Sequence, residues 1–222
     1  PLANWRYRSE PEENTGNRKI PIPRGKLLGG SSSINGLVFV RGNKLDYDTW
    51  AQMGNTGWSY DDVLPFFKKM ENYQGNPSEL RGEEGPLKVS EVSDRNPIYD
   101  AIFKSGEVNN IPFNKDYNGE DQEGLGYTQT TIYKGERMSA EVAYLRPIKS
   151  RKNLTIITNS LVTKLLFEKK KCIGVEVKNK NKISTFLTSK EVILSGGAIN
   201  SPQILELSGI GNSSILKKNG IE

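Results

Sequence analysis

Histidine is absent from all 222 residues, and cysteine occurs once, at Cys172. Without an imidazole the chain holds no Ser-His-Asp or Cys-His catalytic set and no histidine metal site. A lone cysteine excludes an internal disulfide and a cysteine-based zinc centre, and it leaves the compartment open. Its setting, Cys172-Ile173-Gly174-Val175-Glu176-Val177, reads as a core position in a strand. No apolar run approaches the roughly 20 residues that span a bilayer, so no membrane span is expected. Repeats and low-complexity segments are missing as well. So is the strand–Gly-x-Gly-x-x-Gly–helix fingerprint of dinucleotide sites. Gly124-Leu125-Gly126 has Gln129 where the third glycine belongs, and Gly209-Ile210-Gly211 follows a helix pattern, not a strand. A complete dinucleotide site is therefore not expected from these residues alone.

What is present fits a folded globular protein: 35% hydrophobic and 26% charged residues, in a chain long enough for one large domain or two small ones. The net charge of +5 raises the question of nucleic acid. Its lysines gather at Lys169, Lys170 and Lys171 and at Lys178, Lys180 and Lys182, among turn residues and without interleaved aromatics. That pattern is a solvated hairpin tip, and no nucleic-acid partner is expected. Sequons at Asn153 and Asn212 permit glycosylation in a secreted protein, but localisation stays open. Pro1-Leu2-Ala3-Asn4-Trp5 has no initiator Met and no signal-peptide pattern, and Gly220-Ile221-Glu222 ends just after a helix pattern. Both ends read as the interior of a longer chain.

Residues 1–22 are polar and proline-containing, an extended lid or connector. The Gly- and Ser-rich stretch from Pro23 to Gly42 follows, then two helices. Ser59 with Asp62 caps the second, whose Val63, Phe66, Phe67 and Met70 share a face. Asn96-Pro97 opens a third helix, with Ile98, Ala101 and Ile102 as its expected buried stripe. Ser139 caps a short helix through Leu145, ending near Pro147. From 154 the period changes to strands, expected at 154–158, 161–167, 172–177, 183–187 and 191–195. Asn200 or Ser201 with Pro202 marks a helix start, and Ser208-Gly209 its stop. The fold class is α/β with α+β elements: a partial nucleotide-binding domain interrupted by other material.

Two stretches carry chemistry. In Gly29-Gly30-Ser31-Ser32-Ser33-Ile34-Asn35-Gly36, glycines let backbone amides approach an anion, and the hydroxyls and Asn35 offer hydrogen bonds to phosphate or ribityl oxygens. Ser195-Gly196-Gly197 follows an apolar strand pattern and precedes a helix, where α/β sheets bind cofactors. Residues alone leave each open between a ligand site and an ordinary loop or tight turn.

The two stretches belong to longer patterns. Arg24-Gly25-Lys26-Leu27-Leu28-Gly29-Gly30-Ser31-Ser32-Ser33-Ile34-Asn35-Gly36, with Val40-Arg41-Gly42-Asn43 and Asp46-Tyr47-Asp48-Thr49-Trp50, resembles the first signature of the glucose-methanol-choline (GMC) oxidoreductases. The stretch from Gly197 through Ser201-Pro202-Gln203 to Gly211 resembles the second. Gly85-Pro86-Leu87, Asp116-Tyr117-Asn118-Gly119 and Arg137-Met138-Ser139-Ala140 resemble insect, glucose-dehydrogenase-like members.

The resemblance implies a partial FAD-binding Rossmann-like domain with part of a GMC substrate domain. Residues 1–83 would be lid and flavin-facing extension, 84–147 substrate domain, and 148–222 the return to the FAD domain. It implies FAD along Arg24 and Leu28-Gly29-Gly30-Ser31-Ser32, with Asn35, Gly36 and Val38 near the isoalloxazine. Val162 would meet the adenine, and Ser195 and Gly196 the ADP moiety. With no histidine to attach it, FAD would be non-covalent. The implied activity is oxidation of a CH–OH group of an alcohol or sugar, with hydride passing to flavin N5 and a quinone or other acceptor reoxidising the flavin. The family's catalytic histidine would lie beyond Glu222, so this chain alone is expected to be inactive. Alternatives are a non-catalytic flavin-binding or interaction protein of the same fold, and lyase chemistry on it.

Overall fold

The computed structural model describes residues 3–221, and the chain divides into two units, parted after Leu154. In the first unit, Tyr7–Arg8 (β1) and Pro21–Ile22 (β2) pair antiparallel around a 3₁₀ turn at Glu13–Thr15, so the expected connector is a short ribbon. The Gly/Ser loop follows and carries a 3₁₀ turn at Gly30–Ser33. Helices Lys44–Gln52 (α1) and Tyr60–Met70 (α2) come next. Asn43 caps α1 by accepting from Leu45 N–H at 2.9 Å. Ser59 and Asp62 form the expected capping box on α2, an arrangement that contributes about 1 kcal/mol. The α2 face differs from expectation at one position: Phe66 is 69% exposed, and the buried member is Tyr60.

Glu71–Tyr73 (β3), Leu87–Glu91 (β4) and Gln129–Thr130 (β5) form a mixed sheet in the order β3-β4-β5, with β3 parallel and β5 antiparallel to β4. Its centre packs Phe39, Tyr73 and Val89, with Met70 and Leu87 against them. Full burial of such side chains contributes about 2 kcal/mol each. Pro97–Val108 (α3) starts at the expected Asn96 cap and N1 proline. Its stripe is the reverse of the expected one. Ile98 and Ile102 are 61% and 45% exposed and Ala101 is exposed. The packed face is Tyr99 and Phe103, edge-on to Tyr127 and Phe113, with Gly106 against Leu125. Both faces of α3 are apolar, so periodicity could not choose, and the aromatic face won by area.

Ile132–Tyr133 (β6) and Glu136–Arg137 (β7) form a hairpin. A π-helical turn, Glu141–Leu145, and a 3₁₀ turn, Arg146–Ile148, then carry the expected helix one residue past Pro147. Ser139 accepts from Val142 N–H, as a cap does.

The second unit is the expected meander: Leu161–Glu168 (β8), Lys171–Asn179 (β9) and Lys182–Leu187 (β10), antiparallel with β9 central. Lys169 and Lys180 occupy the turns with positive φ, exposed as expected. Cys172 is only partly buried, a strand residue in a unit whose buried hydrophobic residues, among those described, are Leu165, Val177 and Leu216. The expected strands at 154–158 and 191–195 do not form. Those segments are unpaired, with Ile157 and Ile193 52% and 80% exposed. A strand exists only when a neighbour completes its ladder, and within this unit none does. Gly197–Leu207 (α4) starts three residues before Asn200 and takes Pro202 into its body. Its stop is as expected: Gly209 has φ +82°, and Ile210 N–H closes on Leu205 O at 2.9 Å in a Schellman arrangement. Ser213–Lys218 (α5) ends the unit.

Candidate functional site

The loop from Gly25 to Val38 is held from within and from the 129–140 hairpin region. Gly29 is required by its backbone: φ is +83°, and a Cβ there would collide with the Ser33 hydroxyl and press on Ser139 and Glu141. Ser32 Oγ donates to Gly29 O and accepts from Ala140 N–H at 2.9 Å, and Ser33 Oγ donates to Leu28 O at 2.8 Å. These hydroxyls, expected to face a ligand, instead brace the loop. Ser31 Oγ accepts from Gly25 N–H at 3.1 Å, which leaves its own proton without a protein acceptor among the described residues.

Other features of the loop face outward. Gly30 and Gly36 border open space: a Cβ built at either meets no atom within 4 Å. Gly36 N–H has no protein acceptor among the described residues. Leu28 and Val38, 41% and 60% exposed, flank this opening in sequence with apolar surface. Leu37 takes φ +68°, a left-handed conformation that costs a non-glycine residue about 1 kcal/mol. Its carbonyl accepts from Thr131 N–H at 2.9 Å and from the Thr131 hydroxyl at 3.3 Å, and these bonds hold the strained turn. Glycines open to solvent, a free amide donor, a free hydroxyl and flanking apolar side chains are the donor set that a flavin cofactor with its ribityl and phosphate groups needs. Arg24 Nη1 donates to Pro23 O at 2.8 Å.

Behind the exit of the loop lies a buried polar network that sequence reasoning missed. Glu71, fully buried, accepts from Arg41 Nη2 at 2.6 Å, from both Arg81 Nε and Nη2, and from Gly82 N–H at 3.1 Å. Arg81 Nη1 reaches Asp116 Oδ1 at 2.6 Å. Hydrogen bonds to the two carboxylates and their charges raise the Arg81 pKa against the opposing effect of burial. Asn118 donates to Phe39 O and Gln129 Oε1 and accepts from Arg41 N–H at 2.7 Å. Burial, with Glu91 and Asp116 nearby, pushes the Tyr73 phenol well above its ordinary value. The network fixes the segment that leaves the loop, since Phe39 N–H bonds Gln129 O at 2.9 Å beside the Val38↔Thr130 bridge.

A cavity of about 570 Å³ lies elsewhere in the first unit. Tyr73, Glu91, Arg95, Phe113 and Tyr127 line it, and none of the loop residues do. Two of its aromatic rings carry a guanidinium, Arg81 over Tyr73 at 3.6 Å and Arg95 over Tyr127 at 3.7 Å. Among the described residues no cluster of acids and Cys could hold a metal, and no helix is long and apolar enough to cross a membrane.

In the second unit Val162 lies in β8, half-buried and opposite Val177. Ser195 and Gly196 are exposed at the entry to α4, and Gly197 has φ +86° with open space where a Cβ would stand. The turn is thus formed as expected, although no strand leads into it.

A family model for the GMC oxidoreductases matches residues 12–220. The chain belongs to the GMC oxidoreductase family. Oxygen-dependent choline dehydrogenase from Brucella anthropi is 45% identical over 219 residues, 99% of this chain and 40% of that protein. The Rhizobium meliloti enzyme of the same name is 43% identical over the same share. This GMC chain therefore spans about 40% of the length of these relatives. Among solved structures, pyridoxine 4-oxidase from Mesorbium loti superposes with a TM-score of 0.94 at 29% identity, over 100% of this chain and 44% of that one. An FAD-dependent oxidoreductase from Chaetomium thermophilum gives 0.93 at 31% identity, over 100% and 41%. The mixed helix and strand architecture is thus that of an FAD-binding GMC oxidoreductase, in part.

Proposed function

We propose that this chain forms the flavin-facing part of an FAD-dependent oxidoreductase acting on the CH–OH group of a small alcohol. The observation that carries the reading is the Gly29–Val38 loop: open at Gly30 and Gly36, with a free Gly36 N–H, in a GMC chain 45% identical to choline dehydrogenases. Bound FAD supplies the hydride acceptor, at N5, for the carbon being oxidised. Leu28, Gly29, Gly30, Ser31 and Ser32 line the pyrophosphate and ribityl, where the free Ser31 proton donates to a cofactor oxygen. Gly36 N–H, with Asn35 and Val38 beside it, faces the isoalloxazine and donates toward the negative charge that builds there. Arg24 supports the loop entrance through its backbone, by way of Asn4 and Trp5. In the second unit, Val162 contacts the adenine, and Ser195 and Gly196 the ADP moiety. With no histidine in the sequence, the cofactor is held non-covalently and the substrate hydroxyl gives its proton to a group outside these residues.

Choline is the first substrate to test, as the relatives' name indicates, and glucose the second, as the insect-like patterns indicate. Oxygen precedes a quinone as the acceptor for the same reason. The test is to load the full natural protein with FAD, desalt it, and add each alcohol without oxygen. Retained yellow flavin that bleaches with an alcohol supports the reading. Colourless protein, or flavin that no alcohol bleaches, overturns it.

A further inference from the structure

Gly36 N–H belongs to the same peptide plane as Asn35 C=O, and peptide planarity points the two in opposite directions. Whatever holds that carbonyl therefore aims that amide. The carbonyl is held by Arg137, at the end of β7, whose Nη1 donates to Asn35 O at 2.9 Å, to Asn35 Oδ1 at 2.8 Å and to Ser32 O at 3.3 Å. On the far side of Gly36, Thr131 holds Leu37 O. Thr131 directly precedes β6, and Met138 N–H closes back on Thr131 O at 2.9 Å. One hairpin thus grips the loop on both sides of Gly36, while Gly36 itself makes no protein hydrogen bond among the described residues.

Resting on the flavin reading above, we propose that Arg137 is a positioning residue that fixes the Asn35–Gly36 peptide so that the Gly36 N–H is presented to the flavin. A cation on the carbonyl end also polarises the peptide and strengthens its N–H as a donor. Arg137 need not touch the cofactor for this. Its guanidinium sets the direction and strength of a donor that does.

The test compares wild type, Arg137→Gln and Arg137→Lys in the full natural protein, reading the FAD dissociation constant, the flavin midpoint potential and the melting temperature of the apoprotein. Arg137→Gln is expected to weaken FAD binding about tenfold and to lower the midpoint potential, because the reduced flavin loses an aimed donor. Arg137→Lys keeps the charge and the donors on one nitrogen and is expected to recover binding to within about threefold of wild type. A lower melting temperature with unchanged dissociation constant and potential would assign Arg137 to folding alone and overturn the proposal. If Arg137→Gln does not fold, Asn35→Ala, which removes one of the three acceptors, is expected to weaken FAD about threefold. No change in a folded Asn35→Ala protein would also overturn it. Wild-type protein that retains no FAD refutes the flavin reading itself, whereas wild type and variants that bind equally refute only the role of Arg137.

Discussion

Replacing Glu71 with Gln keeps the shape of the side chain and removes one negative charge from the buried network. Glu71 is fully buried, as is the Arg81 side chain, and that of Arg41 is 2% exposed. The variant leaves two guanidiniums against the single carboxylate of Asp116, which is 26% exposed. It also turns an amide N–H₂ toward a guanidinium that requires an acceptor. Breaking a buried pair by removing one partner costs about 3 to 5 kcal/mol, because the remaining charge is left uncompensated out of water. For a unit of this size that is a fall in melting temperature of about 6 to 20 °C. Denaturant unfolding followed by tryptophan fluorescence, with thermal melting by circular dichroism, measures the loss. Added salt should barely change it, since solvent ions do not reach the cluster. The matched control is Glu136→Gln, which breaks a 2.6 Å pair with Arg146 whose side chains are 51% and 54% exposed, and it should leave the midpoint where it was. A Glu71→Gln loss below about 1 kcal/mol would refute the reasoning, because the network would then contribute no more than a surface pair.

Two loop glycines should separate folding from binding. Gly29→Ala is expected to destabilise the protein by about 1 to 3 kcal/mol, through its positive φ and the clash with Ser33, as measured by unfolding. Gly36→Ala has open space for its methyl and should leave stability unchanged while weakening FAD binding, measured by flavin fluorescence quenching. Stability should also fall as pH rises above about 10, where the tyrosines of the unfolded chain ionise. Folded Tyr73, Tyr117 and Tyr144 hold their protons beyond that point, so the folded state binds more protons than the unfolded one. Tyr73→Phe should flatten this alkaline loss in urea melts taken across the range.

The loop, the α2 capping box and the three-stranded meander were legible because each is written in adjacent residues. Ser59 lies three positions from Asp62, and turn lysines at Lys169, Lys170 and Lys180 separate the three strands. The buried network was not legible. Arg41, Glu71, Arg81 and Asp116 are spread along the chain, and charged residues in a sequence look like solvated surface until the fold brings them together. Arg137 lies in the Arg137-Met138-Ser139-Ala140 pattern, but its bond to Asn35 spans 102 positions, beyond any local rule. The α3 stripe was misread because Ile98 and Ile102 compete with Tyr99 and Phe103 at the same period. The segments at 154–158 and 191–195 have strand composition, but pairing is a property of neighbours, not of composition.

Backbone amide hydrogen exchange of the full natural protein, with and without FAD, tests the central claim most directly. The account predicts that FAD slows exchange most strongly at 28–38, with Gly36 among the protected amides, and also at 195–197. Protection confined to other segments, with the loop exchanging at the same rate in both states, would contradict it.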